Sequence, residues 1–129
     1  MPVAFFGFAR FTETSAGNIL NNSFVNCIMI IYNVTVSIDN RVAEEWLQWM
    51  KEVHIPEVMA TTYFIKYQIA RVMEDEDHGG TSFAIQYTAR NMDDLMEYQR
   101  DHATTLQAKH AERYKDLYVA FRTVLEVID

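Results

Sequence analysis

Histidine titrates near neutral pH and coordinates metals, so His54 in "KEVHIPE" and His102 in "EYQRDHATT" are the residues best suited to act as a general base or an axial ligand. The alternative for each is a cap or a packed ring with a satisfied hydrogen bond. Positions 102 and 110 are eight residues apart, about 12 Å along a helix, so His102 and His110 cannot share one metal ion. The turn "EDEDHGG" offers Asp75, Asp77 and His78. It lacks the spacing and terminal bidentate glutamate of a dedicated calcium loop, so it reads as a solvated hairpin tip and no metal site is expected. Arg122 and Glu126 share one strand face, and Lys66 can join them from a neighbouring strand. Charges enclosed there must be paired or must meet a ligand. With Asn33, Gln86 and Tyr87 on adjacent strands, the pocket candidates are Asn33, His54, Lys66, Gln86, Tyr87, His102, Arg122 and Glu126.

The elements that must position these residues follow from periodicity. In "MIIYNVTVSIDN", Ile30, Tyr32, Val34, Val36 and Ile38 alternate with Asn33, Thr35 and Ser37, the period of a strand. Val42, Trp46, Trp49, Met50 and Val53 then recur at helical spacing, with Asp39 or Asn40 as the cap and Pro56 ending the helix near His54. A short turn follows through Met59. "YFIKYQIARVM" and "TSFAIQYTA" form a hairpin through Gly79 and Gly80, with Tyr63, Ile65, Tyr67 and Ile69 on one face and Phe64, Lys66, Gln68 and Ala70 on the other. Asn91 caps a second helix, whose inward stripe is Leu95, Tyr98, His102 and Leu106. A last strand, "YVAFRTVLEVI", turns Val119, Phe121, Leu125 and Val127 inward and Tyr118, Arg122, Val124 and Glu126 outward.

The order β-α-β-β-α-β, with two right-handed crossovers, predicts an α+β ferredoxin-like fold: a four-stranded antiparallel sheet with two helices on one face. The opposite face would carry Asn33, Thr35, Lys66, Gln68, Ser82, Gln86, Thr88, Arg122 and Glu126 among Ile31, Phe64, Tyr118 and Val124. That is less charge than a solvated face usually has. It suits closure against a second copy, as in a dimeric α/β barrel.

Composition narrows the partners. The chain has 129 residues, half of them hydrophobic, enough for one domain. Its net charge of -7, with scattered basic residues, removes the usual drive toward nucleic acid. Cys27 is the single cysteine, which rules out an internal disulfide and fits a cytoplasmic setting. Residues 1–28 contain one basic and one acidic residue, Arg10 and Glu13. Their apolar run is too short to span a membrane and lacks the flanks of a signal peptide. They are read as a dispensable tail, and residues 29–129 as the domain.

These residues also carry a resemblance. "MIIYNVTVSIDN", "EEWLQWMKEVHIPEVMAT", "EDEDHGGTSFAIQYTA", "HATTLQAKHAERY" and "YVAFRTVLEVI" resemble a bacterial family of small uncharacterised proteins, a domain of unknown function with a dimeric ferredoxin-like α/β barrel. The resemblance implies the fold and a homodimer, and it supplies no catalytic residues. It departs at Thr62, where a glycine is expected, so the turn before the second strand should differ in shape. In the wider group of dimeric-barrel monooxygenases, some haem-degrading members use an asparagine on the first strand, an aromatic residue on the third and a histidine on the second helix. Asn33, Tyr87 and His102 occupy comparable places, although the tryptophan of those members has no counterpart here.

Two functional classes follow. One is a small-molecule binder or enzyme with a pocket between sheet and helices or inside the barrel. The other is a structural or protein-interaction dimer without catalysis. The sequence names no cofactor.

Overall fold

The computed structural model describes residues 4–6, 28–73 and 79–129. Four strands form as the alternation requires: β2 (Ile30–Asp39), β3 (Phe64–Arg71), β4 (Gly80–Ala89) and β5 (Tyr118–Glu126). Between them run two helical arms. The first is α1 (Ala43–Trp49), a π-helical turn (Met50–His54) and α2 (Ile55–Ala60). The second is α3 (Met92–Tyr98), a π-helical turn (Gln99–Ala103) and α4 (Thr104–Arg113). From β2 onward this is the ferredoxin-like βαββαβ order, with antiparallel strands arranged β5-β2-β4-β3. A short strand β1 (Ala4–Phe6), where no element was expected, pairs in parallel with the free edge of β5 and makes the sheet five-stranded. The acidic hairpin tip with Asp75, Asp77 and His78 lies outside the described residues.

Pro56 does not end the first arm. A proline ring clashes with the carbonyl four residues back and cannot donate, so a regular helix would break there. Here the Ile55 N–H reaches Met50 O, a five-residue step that widens the helix just before the ring, and the arm continues to Ala60. Each π turn adds a residue to the helical repeat and moves the buried face along by one. His54 is thereby turned inward while Val53 is left 40% exposed. On the second arm Ala103 replaces His102 in the buried stripe, which continues through Leu106, His110 and Tyr114. The expected stripe containing His102 is corrected accordingly.

Capping divides the two arms. Asn91 accepts the Asp94 N–H at 2.8 Å, as its position predicted. Asp39 and Asn40 do not cap the first arm, whose cap position is Val42; Asp39 instead pairs with the Arg41 guanidinium at 2.7 Å. Thr62 follows α2 with φ +71, the left-handed region where glycine is comfortable, so the turn keeps the shape a glycine would give.

The core lies between the helical arms and one sheet face, and includes Tyr32, Val36, Ile38, Trp46, Ile55, Phe83, Ile85 and Leu95. Fully buried side chains such as Ile38, Ile55, Ile85 and Leu95 each contribute about 1.5–3 kcal/mol. Two strand faces differ from expectation. On β5, Arg122 is opposite Val34 and Ala120 opposite Val36, so Tyr118, Ala120 and Arg122 face the helices. Val119, Phe121 and Leu125 face away, 57%, 44% and 39% exposed. On β3, a bulge between Phe64 and Lys66 lets Phe64 join the core opposite Ala89 and leaves Ile65 outside.

Candidate functional site

A cavity of about 200 Å³ lies between the inner sheet face and both helical arms. Its walls are laid down by three strands and two helices: Tyr32 from β2, Tyr87 from β4, Arg122 from β5, His54 from the first arm, and Tyr98 and His110 from the second. Valines, Ile85 and Leu106 fill the spaces between them. Phe64, which is not itself a lining residue, packs against two of the lining rings, 4.8 Å from Tyr98 and 5.1 Å from Tyr87, ring centre to ring centre.

Arg122 is the charge in this cavity. It is 8% exposed, and its Nε and Nη1 have no hydrogen-bond partner. No carboxylate pairs with it among the described residues. Glu57, the acid that acts on His54, is itself held by Lys109 at 2.8 Å. The guanidinium faces neutral groups. Burial raises the Tyr32, Tyr87 and Tyr98 phenols above their ordinary range, and the Tyr32 hydroxyl is hydrogen-bonded to Arg122 and Gln107, which offsets part of the rise.

The two histidines are neutral for the same reason. Burial drives His54 down to about 4 and His110 down to about 3, with Arg122 adding repulsion to each. Trp46 Nε1 donates to His110 Nε2 at 2.9 Å, which places the proton of neutral His110 on Nδ1. Trp49 stacks on His54 with ring centres 5.2 Å apart, and His54 lies 5.8 Å from His110. The buried His54 Nδ1 has no partner.

The structure brings together three of the expected residues, His54, Tyr87 and Arg122. The others lie elsewhere. Asn33 bonds Thr35 at 3.0 Å and Gln86 accepts from Gln68 at 3.1 Å, both on the face away from the helices, where Lys66 also lies. Glu126 is exposed near the end of β5 and makes no pair with Arg122. His102 packs against Tyr63 and Tyr98, outside the cavity wall. Asn33 and Tyr87 stand on opposite sheet faces, so Asn33, Tyr87 and His102 do not converge on one group. His110 was missed as a site residue. Its spacing of four from Leu106 announced burial, but its bond to a tryptophan 64 positions away had no local signal.

Among the described residues, no group of three or more His, Cys, Asp and Glu side chains could hold a metal ion. No described helix is long and apolar enough to cross a membrane.

A ferredoxin-like sheet and helix layer enclosing a polar-centred cavity defines the structural class. Residues 29–128 match the model of a domain of unknown function, DUF4286, and the chain belongs to that family. Solved structures share the fold. One is a conserved protein of unknown function from Bacteroides thetaiotaomicron, also described as a possible oxidoreductase: 18% identity, TM-score 0.56, covering 78% of this chain and 99% of that one. An EthD family protein from Bacillus halodurans is 8% identical with a TM-score of 0.59, covering 77% and 99%. A dimeric ferredoxin-like protein from an uncultured marine organism is 10% identical with a TM-score of 0.55, covering 79% and 97%. None of the curated proteins matches the chain.

Proposed function

We propose that this chain is a homodimeric binding protein that holds a small molecule in the cavity between its sheet and its helical arms. The observation that carries the ligand site is that the walls of one cavity hold, on His54 and Arg122, buried hydrogen-bonding groups the fold leaves unused: His54 Nδ1 and Arg122 Nε and Nη1. A folded protein satisfies nearly all such groups, so a place where they gather is the default position for a ligand.

The dimer is supported by the sheet face away from the helices. Val119, Phe121 and Leu125 are exposed there together, beside the uncharged Asn33, Thr35, Ser82 and Gln86. An exposed apolar patch on a sheet is suited to closing on its copy. A similar solved protein is described as a dimeric ferredoxin-like protein.

A thermal-shift screen of small molecules against the full chain tests the site, because a ligand of the native state raises the melting temperature by mass action. Compounds that stabilise the wild type should lose their effect in Ala120→Leu, which narrows the cavity from its β5 wall. A screen without hits, or hits indifferent to Ala120→Leu, would count against it.

A further inference from the structure

We infer that the ligand of this cavity is a small organic monocarboxylate with an apolar or aromatic body, its carboxylate received by Arg122. The inference rests on the reading of the cavity as a ligand site and adds the chemical class of the ligand.

Charge comes first. Arg122 is the cation of the cavity wall, more than nine-tenths buried, with Nε and Nη1 unclaimed and no carboxylate pairing it among the described residues. Tyr32 gives it one neutral partner, but a buried charge without an opposite charge is costly, and a guanidinium cannot escape by losing its proton. Its charge acts on Tyr32, His54, Tyr87, Tyr98, His110 and Tyr118, all of them residues of the cavity wall. One positive charge among neutral phenols and imidazoles matches one negative charge. A phosphate dianion would leave a second buried charge without compensation.

Size and lining specify the rest. The volume, about 200 Å³, is below the roughly 300–1,000 Å³ of sites for drug-sized ligands. An apolar cavity of about 150 Å³ is enough for benzene. Away from Arg122 the wall is aliphatic and aromatic, with Val34, Val36, Val58, Ile85 and Leu106. Such a wall suits a ring or branched chain carrying one acidic group. His54 Nδ1, buried and unpartnered, offers a second polar contact.

Benzoate is the probe, set against benzyl alcohol, benzylamine and inorganic phosphate, with binding to the full chain followed by thermal shift and calorimetry. Benzoate should raise the melting temperature and bind at least about tenfold more tightly than benzyl alcohol, the ordinary worth of a charged hydrogen bond. Arg122→Gln should remove that preference. Should Arg122→Gln fail to fold, the preference of the wild type for benzoate over its neutral and cationic analogues still decides the matter. Equal binding of benzoate and benzyl alcohol, both lost in Ala120→Leu, would overturn the anion while leaving the cavity a ligand site. Stabilisation by phosphate as strong as by benzoate, or no response to benzoate, would overturn the monocarboxylate. Benzoate binding that persists in Ala120→Leu would overturn the cavity reading itself.

Discussion

Trp46 on α1 and His110 on α4 are joined by a hydrogen bond of 2.9 Å from the indole Nε1 to the imidazole Nε2, and both residues are buried. The bond ties the two helical arms together over the sheet and fixes which ring nitrogen carries the proton. Trp46→Phe would keep most of the apolar bulk and leave Nε2 without a donor. Stranding one buried acceptor costs about 1–3 kcal/mol. Urea denaturation should show a loss of that order, and an unchanged midpoint would mean that water or a neighbour replaces the indole.

Acid should destabilise the fold before its carboxylates titrate. His54 and His110 have folded-state values of about 4 and about 3, below the ordinary 6.5. Between those values the unfolded chain binds protons that the native chain refuses. Stability is therefore complete above about 6.5 and declines as pH falls toward about 4. Melting temperatures measured from pH 7 down to pH 5 should fall, and the double variant His54→Gln, His110→Gln should flatten the slope in that interval. A wild-type curve already flat there would show that neither histidine is held neutral by the fold.

Two phenylalanines separate folding from assembly. Phe64 is 4% exposed and packs with Tyr32, Tyr87 and Tyr98, whereas Phe121 is 44% exposed on the opposite face. Phe121→Glu should leave circular dichroism intact and convert a dimer to a monomer by light scattering coupled to size exclusion. Phe64→Glu should instead unfold the chain or lower its melting temperature severely, since it buries an unpaired charge. A wild-type monomer at micromolar concentration would remove the dimer from the proposal.

Residues 1–28 contribute one described element, the three-residue strand β1 at the edge of β5. A chain beginning at Met29 keeps β2–β5 and both helical arms, so its circular dichroism and melting temperature should stay within a few degrees of the full chain. A larger loss would show that the segment docks on the domain and protects the β5 edge.

The local signals of the chain determined the order of elements. Alternation in "IIYNVTVSI", helical spacing around Trp46, the Asn91 cap and the Gly79–Gly80 turn each depend on neighbours a few residues away, and the four antiparallel strands and two helical arms follow from them. They sufficed for His54, Tyr87 and Arg122 as residues of interest. What only the tertiary structure decided was which way several of them point. β5 is apolar on both faces, so its pattern does not fix its register. The register against β2 buries Tyr118 and Ala120 and takes Arg122 inward with them, leaving Val119, Phe121 and Leu125 on the other face. The bulge beside Phe64 reverses that residue in the same way. Two π turns, which leave no mark in a 3.6-residue repeat, bring His54 in and leave His102 out of the cavity. A single residue inserted in a strand or a helix changes the face of everything after it, and whether it is inserted depends on packing against segments distant in sequence.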